Sequence, residues 1–344
     1  YLDFEYFPEV HKDVEYDNYQ IFVLSNNYLV AEKDFFQIYN KDDSRRLGWI
    51  FTISNLESKE LDLIKDKHLN NYKLAAYYLL LQAKGNVKPK PIEEAAPYPK
   101  ISDIYDRDDI FIVVYDASKK EFPIRNYLPS LSKYGYYIKN SYDNIAKIES
   151  KRSFCLKLRE EGKNKIHLKM SNCGNDNDRF INDLFSDHLK SSEHHLLRFH
   201  ILYQVIEFYL SNIFENDSKS IIDSYIRDRN DINGFMEKIG KVKSERTRIN
   251  KLISYTGTLG DDLDYSVVNL QRDCDLFLRK CQREPKSNLG DLVYDVRNLI
   301  VHEYRSVAPS EFSLLEDITS EIELLVTNII ENYNFNKEPL QTNV

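Results

Sequence analysis

The sequence predicts an α+β protein: a mixed, strand-rich amino-terminal domain over residues 1–177, followed by an antiparallel α-helical bundle over residues 178–344. Three observations carry that expectation. Short runs of aromatic and β-branched residues, separated by turn-formers, fill the first half. Near Asn175 the apolar pattern changes from a period of two to one of about 3.6 residues. A chain of 344 residues also divides more readily into two medium cores than one large one.

In the first half, Ile21 to Leu24, Phe35 to Tyr39, Trp49 to Ile53 and Ile110 to Tyr115 have the composition strands prefer. Leu156 and Leu158 alternate with Lys157 and Arg159. Ile166, Leu168 and Met170 alternate with His167 and Lys169 across a turn containing Gly162 and Asn164, which predicts a hairpin with one buried face. Lys59 to Gln82 has helical periodicity and stops near Gly85. Gly85 to Lys100, with Pro89, Pro91, Pro97 and Pro99, predicts an extended, exposed loop. No Gly-rich phosphate loop and no Ser-His-Asp spacing stand in this half, so it reads as a sensor or scaffold.

In the second half, Leu196 to Leu210 is apolar almost all round, the mark of a central buried helix. His200, Gln204, Glu207 and Ser211 nonetheless fall on one stripe, and polar groups on a buried helix need partners. They are either satisfied core groups or a layer that orients functional residues, with Glu207 and Gln204 foremost. His194 and His195 read as surface residues with no carboxylate or Cys at ligand spacing, so no metal site is expected. Asp262 to Gln282 forms a helix carrying Cys274 and Cys281 on one face, and Pro285 to Gly290 breaks the chain. Pro309 opens a last helix whose stripe of Leu315, Ile318, Ile322, Leu325 and Ile329 is either intramolecular core, the expectation for such a bundle, or a helix–helix seam between subunits.

Between these two helices lies Leu292 to Tyr304. At about 100° per residue, Leu292, Val293, Val296, Leu299 and Ile300 gather on a core arc. The opposite arc holds Tyr294, Arg297, Asn298, Val301 and His302, a mixed face that predicts something covers it. An Arg fork neutralises charge growing on phosphate oxygens, and a His side chain titrates near neutral pH and can move a proton. Arg297, His302 and Asn298 are therefore the candidate catalytic trio. Tyr294 and Tyr304, within the same stretch, are candidates for substrate contact or for orienting the trio.

Composition bounds the rest. Charged residues make up 30% and hydrophobic residues 42% of the chain, with no run near the ~20 apolar residues a membrane span needs and no signal peptide. Cys155, Cys173, Cys274 and Cys281 lack metal-ligand spacing, which predicts a cytoplasmic protein in a reducing environment. The chain opens on Tyr1, so the numbering is open to starting inside a longer polypeptide. A net charge of −8 argues against broad, phosphate-driven binding to long nucleic acid. From Tyr225 to Lys251, however, eight basic residues face four acidic ones, a local balance of 8 − 4 = +4. This segment is either a basic groove or a solvated helical surface.

The run Arg297-Asn298-Leu299-Ile300-Val301-His302 resembles the motif of the HEPN superfamily of helical nucleases: Arg, a polar residue, a few apolar residues, then His. The resemblance covers roughly residues 178–335 and says nothing of the first half. It implies a HEPN-type bundle and a metal-independent endoribonuclease without cofactor, leaving a 2′,3′-cyclic phosphate. Toxins and antiviral defence effectors of this kind cut cellular RNA, whether tRNA, rRNA or mRNA. It further implies a homodimer through the helical domain, with both motifs lining one cleft, and suits a phage-derived or protein trigger read by the amino-terminal domain. The alternatives are a HEPN module that binds nucleotide or RNA without cutting, and an interaction protein in which the motif is structural.

Overall fold

The computed structural model of the chain describes residues 14–26, 35–57, 67–90, 100–106, 109–116, 118, 120–139, 164–171, 175–192, 194–229, 231–255 and 261–333. The described residues up to Ser171 pack together with Asn175–Ser191 as one compact unit, and those from Ser192 onward form a second. The protein is mixed α+β, with a six-stranded sheet in its amino-terminal part and a mostly helical carboxy-terminal half.

The sheet of the first unit contains β1 (Tyr19–Asn26), β2 (Phe36–Asn40), β3 (Arg46–Thr52), β4 (Ile110–Tyr115), β5 (Tyr136–Ile138) and β6 (Lys165–Leu168), in the order β5-β1-β4-β3-β2-β6. All neighbouring pairs are antiparallel except β2 and β6. The run Ile-Phe-Ile-Val-Val of β4 is apolar on both faces, so both faces must be covered. Around the sheet stand α1 (Ile53–Glu57), α2 (Lys67–Leu81), α3 (Ile101–Ile104), α4 (Leu128–Ser132), α5 (Asn175–Asp183) and α6 (Leu189–Ser191), with a π-helical turn, Leu184–His188, joining the last two. Phe111 and Val113 share a core with Ala75, Ala76 and Leu80 of α2. Ile110, Ile112 and Val114 share the opposite core with Leu131, Tyr134 and Tyr136. Gly48 fits where β3 crosses β4 because a Cβ there would stand 2.0 Å from the Val113 carbonyl oxygen.

Three expectations shift. β3 ends one residue before Ile53 because Thr52 Oγ1 accepts from Asn55 N at 3.2 Å and starts α1. The segment after Gly85 is not simply exposed. Asn86 accepts from Val23 N (2.5 Å) and donates to Val23 O (3.0 Å), next to the start of the β5 register at Leu24, and Val87 is buried. The rest of that expected loop, residues 91–99, lies outside the described residues, as do 59–66 of the expected helix and the 156–163 half of the expected hairpin. The other half, β6, pairs in parallel with β2.

The second unit contains α7 (His195–Arg227), α8 (Ile232–Lys243), α9 (Glu245–Tyr255), α10 (Asp261–Lys280), α11 (Leu289–His302) and α12 (Phe312–Asn332). The α12 stripe Leu315, Ile318, Ile322, Leu325 and Ile329 is buried within this single chain. Arg198 and Glu323 join α7 to α12 through a buried, two-pronged ion pair at 2.7 Å. The helix expected to end near Leu210 continues to Arg227, although its last buried residue is Ile213. Its outer half is instead lined by α8, with the rings of Tyr225 and Phe235 4.6 Å apart. No helix among the described residues is long and apolar enough to cross a membrane.

Candidate functional site

The helix α11 begins where Asn288 Oδ1 accepts from Gly290 N at 2.8 Å, an N-cap in the usual sense. Gly290 lets α9 approach, since a Cβ there would meet Asn250 Oδ1 at 2.0 Å. Leu292, Val293, Val296, Leu299 and Ile300 are all buried, so the apolar arc faces the core.

The second arc is covered along its first turns by helices of the same chain. Arg246 of α9 pairs with Asp295 at 2.5 Å and Asp291 at 3.5 Å, and its guanidinium lies 4.8 Å above the Tyr294 ring. Asn250 Nδ2 donates to Asp291 Oδ1 at 3.1 Å. These bonds use an acidic i,i+4 pair on α11 to hold the amino-terminal turn of α9.

Arg297 turns toward α7. Its Nη2 donates to Glu207 Oε1 at 3.0 Å and its Nη1 to Asn298 Oδ1 at 3.1 Å, and its guanidinium lies 5.4 Å from the centre of the Tyr203 ring. Tyr203 is fixed in turn, its hydroxyl donating to Glu245 Oε1 at 3.0 Å. Burial acts to lower the Arg297 pKa, but the Glu207 hydrogen bond and the charge of Glu245 outweigh it and raise the value. Burial first, and Glu245 second, push the Tyr203 phenol up, so it stays a hydrogen-bond donor. Arg297 Nε is buried with no partner, and Nη1 and Nη2 each keep a second N–H beyond the two bonds above.

The last turn of α11 differs. Val301 is 41% exposed and His302 is exposed; among the described residues His302 makes no hydrogen bond or ion pair. Arg297 and His302 are separated by about 140° around the helix, and the structure joins neither to the other within the chain. Beyond the cap, Glu303 pairs with Arg283, and Tyr304 stacks on Phe312 with centroids 6.0 Å apart. Tyr304 is thus engaged with Phe312, and Tyr294 belongs to the Arg246 cluster.

The polar stripe of α7 is not buried as expected. Gln204, Glu207 and Ser211 are exposed and His200 is half-buried, because the helix buries the arc holding Phe199, Leu202, Tyr203, Ile206 and Leu210 instead. Glu207 meets Arg297; Gln204 meets none of the trio. His195 is also not a simple surface residue, since its Nε2 lies 2.9 Å from Glu316 Oε1, while His194 Nδ1 caps α7 by accepting from Leu196 N.

Part of the basic segment is spent on its own unit. Arg248 donates to the Leu210 carbonyl at 3.2 Å and Lys251 pairs with Asp217 at 2.6 Å, alongside the Arg246 pairs above. Tyr203, Glu245, Arg246, Asp291 and Asp295 were not singled out from sequence as site residues. The signal that could have found them is the Asp291/Asp295 spacing opposite an arginine-rich stretch. Comparison of the chain with protein-family models, curated proteins and solved structures finds no match.

Proposed function

We propose that the chain is a metal-independent endoribonuclease of HEPN type, in which Arg297, Asn298 and His302 carry the chemistry. The observation that supports this most is the division of α11: Arg297 is held at a fixed orientation by Glu207, Asn298 and Tyr203, while one and a half turns on, His302 projects from an open turn. A guanidinium that holds charge and an imidazole that moves a proton are the two functions phosphodiester cleavage needs; at about 7.5 Å along the axis and about 140° around it, the two of one chain do not meet on one phosphate, so cleavage calls for a second copy.

In the proposed reaction the RNA 2′-hydroxyl attacks the adjacent phosphorus, the bond to the 5′ oxygen breaks, and a 2′,3′-cyclic phosphate and a 5′-hydroxyl result. Arg297 stabilises the negative charge growing on the non-bridging oxygens, using the Nη hydrogens that Glu207 and Asn298 leave unfilled. His302 moves a proton between solvent and a reacting oxygen. One such pair is sparse, and the exposed last turn of α11 supports a homodimer in which two copies of Val301 and His302 approach across a two-fold axis. The first unit then serves as the module that admits RNA or a phage-derived or protein trigger. We place the protein among toxins or antiviral effectors on the same reading.

One observation favours a second reading. The Arg297–Glu207 pair joins α11 to α7, which is what a structural motif would do. A gel of total RNA incubated with the full chain in EDTA separates the two. Endoribonuclease action predicts loss of intact tRNA or rRNA bands and cyclic-phosphate ends, with Arg297→Ala slower by ~10²–10³ and His302→Ala slower by ~10²–10⁴. Intact bands with the parent protein, or equal cutting by His302→Ala, favours the structural motif.

A further inference from the structure

A row of aromatic and cationic side chains lies along one end of the sheet face whose middle is covered by α2, and we propose that it is a docking platform for single-stranded RNA. The platform rests on the reading of RNA as substrate, but its evidence lies in the first unit alone.

The row follows from strand period. Phe36 and Ile38 of β2, and Ile166 and Leu168 of β6, point into the core beneath the sheet, which sends Gln37, Tyr39, Lys165 and His167 to the other face. Register then sets Tyr39 beside His167 on one side and Arg46 on the other. The Tyr39 and His167 rings stack at 5.7 Å and 29°, and Lys165 Nζ stands 5.6 Å over the Tyr39 ring. The Tyr39 hydroxyl is fixed by donating to Gln37 Oε1 at 2.8 Å. Further along, Tyr115 of β4 is 45% exposed. Its inner edge rests on Tyr19, with centroids 5.1 Å apart.

The charge of this corner runs against that of the molecule. The β2–β3 turn and the ends of β3 and β6 carry Lys41, Arg45, Arg46, Lys165 and Lys169 against Asp42 and Asp43, a balance of 5 − 2 = +3 in a chain of net −8. The sense of the local field shows on His167, whose pKa is lowered by burial and then by the charges of Lys165 and Lys41. A solvated edge strand needs no ordered aromatic row. Half-exposed rings interleaved with cations match a ligand that repeats a flat apolar face and a negative charge, and a single-stranded nucleic acid does both, since its bases are free to stack and its phosphates follow the strand. A duplex hides its base faces, and an acidic peptide lacks them.

The test is equilibrium binding, read by fluorescence anisotropy at low salt, of a labelled twelve-nucleotide 2′-O-methyl uridine strand to the full chain. Such a strand has no free 2′-hydroxyl to attack, so the readout is independent of Arg297 and His302. Binding should weaken about tenfold in Tyr39→Leu and stay within about twofold in Tyr39→Phe, which keeps the ring. Lys165→Gln, at an exposed position, should weaken binding and reduce the salt slope by about 0.7, with unchanged circular dichroism. An abasic strand of equal charge should bind as weakly as Tyr39→Leu binds the uridine strand. Parent protein that does not bind, an abasic strand or polyglutamate that binds as well, or variants that bind like the parent overturn the platform. If the variants lose binding while the parent cuts no RNA, the platform stands and the nuclease reading falls; if the parent cuts RNA and the variants bind normally, the reverse holds.

Discussion

Glu207 is the side chain on which the two readings of Arg297 divide. Its side chain is 47% exposed and that of Arg297 20%, so the pair is screened, and Glu207→Gln should lower stability by no more than about 1 kcal/mol. If Arg297 acts on phosphate, the same substitution frees the guanidinium to turn and changes the cleavage rate at nearly constant melting temperature. If Arg297 is a clamp, melting moves and no RNA is cut at either level. His195 offers a separate check on the helical unit. Burial, reinforced by His194 and Arg198 and offset in part by Glu316, lowers its pKa below the ordinary 6.5. The folded protein therefore binds that proton less readily than the unfolded chain. The stability His195 contributes is present above about pH 6.5 and is lost as pH falls through the folded value. The melting temperature should drop between about pH 7 and pH 5, by less in His195→Gln; equal drops would contradict this assignment. At this scale the spacing by three and four placed Glu207 on a shared face of α7, but its meeting with Arg297 depends on how α11 approaches α7 and stood only as one of two alternatives. Glu245 holding Tyr203 was not legible, because it depends on how α9 approaches α7, which no local spacing encodes.

At the scale of elements, the strongest signals in the sequence were those whose burial is one-sided or complete. The apolar run of β4 and the α12 stripe correspond to a strand covered on both faces and a helix buried in one core. The outer half of α7 left a weaker trace, because its residues beyond Ile213 are nowhere fully buried and Tyr225 rests on Phe235 of a helix that is itself unburied. The docking of Asn86 left none, since it satisfies two backbone groups of β1 through a side-chain amide. The helix α8 has no buried residue. Backbone amides of residues 232–243 should therefore exchange with deuterium well before those of α12, whose described side chains are mostly buried. Protection of α8 equal to that of α12 would mean that something else covers it.

At the scale of the whole molecule, the proposed cleft needs two chains. Val301 is open beside His302, so Val301→Glu would set two like charges against each other at a two-fold contact. Light scattering should find a dimer for the parent and a monomer for this variant; a parent that is monomeric, or a variant that stays dimeric, contradicts the proposed pairing. Tyr294, on the same arc of α11, is covered by Arg246 of its own chain. The most direct measurement follows the ends of the RNA: full-length protein with total RNA and EDTA, the products mapped for 2′,3′-cyclic phosphate, in the parent and in His302→Ala. Discrete cyclic-phosphate ends are expected in the first, and their loss in a second protein that melts within a few degrees of it. Unbroken RNA in both, or the same ends at the same rate in both, would contradict the endoribonuclease reading.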